Sequence, residues 1–267
     1  MPLPTISTPT YELTLPSSDR KIKFRPFLVK EEKILILAME SQDSKQIAQA
    51  VKDVLKKCIL TRGIKVEKLS TFDIEFLFLN IRGKSVGEDI EVMVTCPDDK
   101  KTQVPMSINI DSIKVQKDKD HNRDIQLDDT YTLRMRYPSL DEFIKNNFGA
   151  VEQMNVDDTF DLIASCIDQV YSEEESWASE DCTKKELNDF VESLNSSQFK
   201  LVEKFFETMP KLSHTVKVTN PNTQVESDIT IDNASIDSLS GYDSSFTIIV
   251  KPIQDGNITV LVDAKIE

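Results

Sequence analysis

Two histidines, six glycines and one tryptophan are spread over 267 residues, and each scarcity removes a class of chemistry. A phosphate cradle needs closely spaced glycines so that backbone N–H groups can approach the anion; six scattered glycines build none. His121 and His214 stand far apart, in a polar connector and at a strand start. Neither has the Cys, Ser or carboxylate spacing of a triad or a metal pair. Cys58, Cys96, Cys166 and Cys182 show no CxxC spacing and read as reduced thiols in a reducing compartment. The longest apolar run, residues 34–39, is too short to span a bilayer, and the N-terminus has no apolar core of signal-peptide length. Basic charge is also in deficit. Lys and Arg total 32 against 46 Asp and Glu, for a net charge of -14 and a pI near 4.7. No basic patch stands out for a nucleic-acid backbone. The expectation is a soluble intracellular protein with no membrane span, no nucleic-acid partner, no cofactor and no metal.

What is present is an ordinary globular balance, 39% hydrophobic and 29% charged, in a chain long enough for one large or two small domains with real cores. The stretch "VTCPDDKKTQV" at 94–104 has a counterpart in "VTNPNTQV" at 218–225. Both are strand, proline turn and strand, with apolar residues at every second position. Asn220 stands where the first copy has Cys96, so the cysteine reads as a turn residue and asparagine should serve there equally well. The likeness extends outward. "IKFRPFLVKEEKIL" at 22–35 resembles "LRMRYPSLDEFI" at 133–144: a strand ending in a basic residue, a proline near a helix start, then an acidic first turn. Amphipathic helices are expected at 45–59, with Ile47, Val51, Val54, Leu55 and Cys58 on one face, and at 159–171, with Phe160, Ile163, Ile167 and Val170.

These matches give an α+β fold of two tandem related hairpin–helices–hairpin modules. The expected boundaries are an arm at 1–9, module one at 10–113, a linker at 114–123 and module two at 124–236. A C-terminal β-hairpin appendage at 237–267, signalled by "QDG" between apolar strands, completes the chain.

Individual motifs carry little chemistry. "GKS" at 83–85 lacks the upstream glycine of a phosphate loop, Phe78 standing there, and Gly83 reads as a helix C-cap. Asp118, Asp120, Asn122, Asp124, Gln126 and Asp129 fall on EF-hand ligand spacing. Arg123 nonetheless replaces the turn glycine and Asp129 the bidentate glutamate, between strands and not helices, so the segment reads as a solvated linker. Trp177, in the acidic loop 172–181, either anchors a partner or folds back on its own module. Adjacent Phe205 and Phe206 cannot both face one core stripe, so one packs under the turn at 210–214 or is left for a neighbour. Trp177, Phe205 and Phe206 are therefore the candidate partner-binding residues.

The stretches "TPTYELTLPSSDRKIKFRPFLVKEEKILILAMES", "RYPSLDEF" and "EKFFETMPKLSHTVKVTNP" together resemble the baseplate hub assembly protein family of T-even-type contractile-tailed phages, over roughly residues 8–232. The resemblance implies a non-enzymatic component or assembly factor of the tail baseplate hub. It also implies hetero-oligomeric contacts with other hub and tail proteins, in the host cytoplasm during assembly and in the virion tail. It carries no catalytic residues. The C-terminal hairpin departs from the family pattern. A metal- or nucleotide-binding enzyme and a generic intracellular scaffold are the alternatives.

Overall fold

Short alternating strands and amphipathic helices succeed one another along the chain, and the computed structural model describes residues 6–41, 43–140, 156–232, 247–253 and 257–263. The fold is mixed α+β. It divides into two compact units, one joining Met1–Val115 to Lys211–Glu267 and the other formed by Gln116–Pro210.

Unit one opens with the antiparallel hairpin β1 (Tyr11–Thr14) and β2 (Lys21–Phe24). Three helices follow: α1 (Val29–Glu40), α2 (Ser44–Cys58) and α3 (Thr71–Val86). Phe24 bridges Ile59 just past α2, so the second helix returns the chain to the first hairpin. The basic strand end and acidic first turn read from the sequence meet here. Glu31 is fully buried and pairs with Arg25 at 3.1 Å, while its other oxygen accepts the Leu28 N–H at 2.8 Å. Burial raises the Glu31 carboxyl, but the bonds from Arg25 and Leu28 outweigh it and hold the group below its ordinary value. Arg25 also approaches the buried Cys58 sulfur at 3.9 Å, where burial pushes the thiol up to about 11.

Gly83 is not the cap of α3. The helix runs on to Val86 and closes at Gly87, with φ 137. A Cβ at Gly83 would lie 3.3 Å from Ile110, so glycine serves close packing there. Ser85 accepts the Phe27 N–H and donates to the Ile81 carbonyl. "GKS" is thus a packed helix end.

Two hairpins share a core in this unit: β3 (Asp89–Thr95) with β4 (Gln103–Asn109), and β10 (Lys211–Thr219) with β11 (Glu226–Asp232), the latter joined at β10 by β5 (Lys114–Gln116). Their apolar faces meet through Ile90, Val94, Cys96, Ile108, Ile110 and Val218. The turns are built alike. Lys100 N–H returns to Cys96 O at 2.9 Å and Gln224 N–H to Asn220 O at 2.8 Å, with φ 56 and 61 at the donors. The β1–β2 turn repeats the device, Asp19 N–H reaching Leu15 O at 3.0 Å with φ 52. The two later turns also grip each other: Asn220 Nδ2 donates to both oxygens of Asp98, Thr223 Oγ1 donates to Asp98, and Asn222 Nδ2 donates to Thr102 at 2.9 Å. Cys96 and Asn220 share a backbone role but not an environment. The thiol lies in the apolar cluster, whereas the amide caps its own turn through Asn222 N–H. Asparagine at 96 would place its amide N–H groups in that apolar cluster.

The remaining strands of this unit, β12 (Thr247–Ile253) and β13 (Asn257–Asp263), form the C-terminal hairpin, with Ile248 opposite Val262 and Val250 opposite Val260.

Unit two is a four-stranded antiparallel sheet in the order β6 (Asp124–Gln126), β7 (Thr132–Met135), β8 (Ile167–Tyr171) and β9 (Ser176–Ala178). The helices are α4 (Val156–Ser165), α5 (Lys184–Ser193) and α6 (Ser196–Glu207). The helix expected over 159–171 ends at Ser165. Ile167 and Val170 belong to β8, where β-branched side chains fit a pleated surface and pair with β7. The core gathers Ile125, Leu133, Met135 and Ile167 from the strands with Ile163, Val191, Val202 and Phe205 from the helices. Thr183 and Glu186 form the capping box read from the sequence at the start of α5.

Candidate partner-binding surface

The antiparallel order puts the β6–β7 and β8–β9 turns at the same end of the unit-two sheet. Gln126, Thr132, Tyr171 and Ser176 make its outermost rung, and Ile125, Leu133, Val170 and Trp177 the next one in. Leu133 is buried and Val170 packs against the same core, so Trp177 lies on the core-facing side but at the edge strand. Its side chain is 41% exposed, as is that of Tyr131 from the other turn, and the two rings lie 6.2 Å apart at 50°. Trp177 thus touches its own unit through Tyr131 and keeps an exposed face.

The same two turns are acidic. Asp128, Asp129, Glu173, Glu174 and Glu175 are all exposed. None forms an ion pair with another described residue. Asp128 accepts the Tyr131 and Thr130 N–H groups at 2.8 Å, and these bonds hold its carboxyl below the usual range. The backbone of the turn at Tyr131 is therefore held by this carboxyl. Sequence reading picked out Trp177 but missed Tyr131, because a contact between residues in separate turns depends on strand pairing.

Phe205 and Phe206 divide differently. Phe205 is 2% exposed, lodged against His121 (5.2 Å) and Tyr137 (5.8 Å). Phe206 is half-buried and meets Phe205 edge-on at 5.1 Å and 84°. Both rings serve the unit-two core, and Phe206 alone keeps a part-exposed face.

His121 sits against these rings. Thr208 donates its hydroxyl to Lys204 O at 2.7 Å, so it accepts from His121 Nδ1 at 2.9 Å, and Nε2 then accepts from the Tyr137 hydroxyl at 3.0 Å. This network selects the neutral ring. Burial pushes the imidazole down, helped by Arg123 and Lys117 and opposed by Asp118. A residue read as part of a solvated linker is thus a clasp.

The EF-hand spacing does not become a cage. Asp124 is drawn into β6, where it pairs with Arg134 at 2.7 Å and accepts from Tyr171 at 3.3 Å. Among the described residues no group of three His, Cys, Asp or Glu could hold a metal ion, and no helix is long and apolar enough to cross a membrane.

Against known proteins, a family model described as T4 bacteriophage base plate protein matches residues 8–235. Neither a curated protein nor a solved structure matches. The matched stretch begins just before β1 and ends just after β11, leaving the C-terminal hairpin outside it. A match over so much of the chain, spanning both units and the paired proline turns, places this protein in the T4 bacteriophage base plate protein family.

Proposed function

We propose that the protein is a non-enzymatic component or assembly factor of the baseplate hub, acting through contacts with other hub and tail proteins in a hetero-oligomer. The family match over residues 8–235 carries this reading. The surface chemistry supports it: an exposed aromatic pair among carboxylates that form no ion pair with another described residue is equipped for binding. Trp177 is the foremost contact residue on this reading and Phe206 a secondary one. Assembly takes place in the host cytoplasm and the product resides in the virion tail. Co-expression with tail components followed by co-purification tests the binding. Mass spectrometry of purified particles against infected-cell extract separates a permanent part from a departing factor. Turnover of nucleotide, peptide or glycan that a single side-chain substitution removes would overturn the non-enzymatic reading.

The tandem modules belong to the same proposal. Arg25 N–H donates to Cys58 O at 3.0 Å, and Arg136 N–H donates to Cys166 O at 2.8 Å. Phe24 pairs with Ile59 as Met135 pairs with Ile167. In each half a hairpin strand is followed directly by an arginine and is rejoined by the chain leaving a helix that ends at or beside a buried cysteine. The paired proline turns add a second point of likeness. An experimental structure in which 22–59 and 133–167 cannot be superposed would refute the duplication.

A further inference from the structure

We infer that the Tyr131–Trp177 end of the unit-two sheet is the docking site for a basic, arginine-bearing segment of a partner protein. The inference rests on the proposed role in baseplate contacts and names the class of partner for one surface.

Large aromatic side chains are ordinarily drawn into a core, and two neighbouring rings each 41% exposed mark a surface for binding. Their setting decides the occupant. Five exposed carboxylates stand in the same two turns, two beside Tyr131 and three just before Trp177, and no described cation pairs with any of them. An apolar partner would leave this charge uncompensated, and an acidic one would be repelled. A guanidinium satisfies both parts, because it stacks on an indole or phenol face and meets carboxylates through its fork of N–H donors. The unit already uses that chemistry internally, with Arg134 over Tyr171 at 5.6 Å while bonded to Asp124. The sheet is also open here, since β9 ends the strand order among the described residues and is only three residues long. An extended segment can lie along that edge with its arginines over the rings.

Trp177 is the only tryptophan, so its emission reports this site directly. The full chain is titrated with the peptide acetyl-Arg-Arg-Gly-Arg-Arg-amide. We expect a saturable change in emission that weakens with added salt. Replacing arginine by lysine at equal charge should weaken binding several-fold, and Glu173→Gln/Glu174→Gln/Glu175→Gln should weaken it about tenfold. Those three side chains are exposed and outside the core, so circular dichroism should find the variant folded. In parallel, Trp177→Ala is co-expressed with the tail proteins and should lose a partner that the parent chain retains. An absent or non-saturable emission change overturns the inference, as does equal affinity for the triple variant. Partner capture by Trp177→Ala at parent level overturns it as well while leaving the baseplate reading intact. Failure of the parent chain to bind any tail protein would count against that broader reading instead.

Discussion

Replacing Glu31 by alanine tests the construction of unit one most directly. The carboxylate is fully buried, and its removal deprives Arg25 of its partner and the Leu28 N–H of its acceptor at the start of α1. Removing one member of a buried pair costs about 3–5 kcal/mol. The Arg25 side chain is 15% exposed and keeps Pro26 O at 2.8 Å, so the lower end of that range, about 3 kcal/mol, is expected. In urea, with a slope of about 1–3 kcal/mol per molar, the midpoint should fall by roughly 1–3 M. Because the chain has two compact units, hydrogen exchange of the α1 amides should accompany far-UV circular dichroism, so that the loss is traced to unit one. The companion Arg25→Met/Glu31→Leu removes both charges and should recover the part of the loss that comes from the unpaired guanidinium, the Leu28 N–H remaining without its acceptor. A single substitution costing under about 1 kcal/mol, or a double variant as damaged as the single, would refute the reasoning. The pH dependence follows. Glu31 has a folded pKa below its ordinary 4.5, so its stabilisation is full above that value and is lost as pH falls through the folded one.

Three further outcomes are expected. Asn220→Ala should cost about 1–3 kcal/mol, since the turn N–H groups of Asn222 and Thr223 lose their acceptor and Asp98 keeps only the Thr223 hydroxyl as a side-chain donor; Cys96→Asn should cost a similar amount by burying an amide in the apolar cluster, while Cys96→Val should be tolerated, all read by thermal unfolding. The stabilisation from His121 is full above its ordinary 6.5 and is lost as pH falls below it, because the folded ring is held neutral; proton NMR of the ring should find it titrating below that value, and His121→Gln should flatten the dependence. Lys100→Gly should stabilise unit one by about 0.5–1 kcal/mol in urea melts, since φ 56 strains a lysine by more than glycine's added chain entropy.

Much of the local structure was legible in the sequence because it rests on local rules. The capping box at Thr183 and Glu186, the amphipathic α2 and the proline turns at 97 and 221 each depend on a few adjacent residues. The strand β8 was misread because Ile167 and Val170 also sit at helical spacing from Phe160 and Ile163; pairing with β7 decides between the two periods, and pairing is non-local. His121 was hidden for a similar reason, since its partners Tyr137 and Thr208 lie 16 and 87 residues away. At the candidate surface the tryptophan and the acidic loop could be read directly, but the second ring and the second acidic turn needed the sheet register.

The hairpin pair of unit one has a consequence for synthesis. Asp98 and Asn220 grip each other across 122 residues, and the apolar face of β3–β4 is covered by Val216, Val218 and Ile229 from the same distant hairpin. A hairpin forms within about ten microseconds, but at roughly 5–20 residues per second the ribosome needs on the order of ten seconds to deliver the covering strands. During that interval Ile90, Val94, Cys96 and Ile108 present an incompletely covered sheet face on the nascent chain. Unit two, made in between, can fold while unit one waits. A chain released early at residue 210 would therefore carry a finished module beside an adhesive one, and aggregation of that fragment is the failure this topology invites.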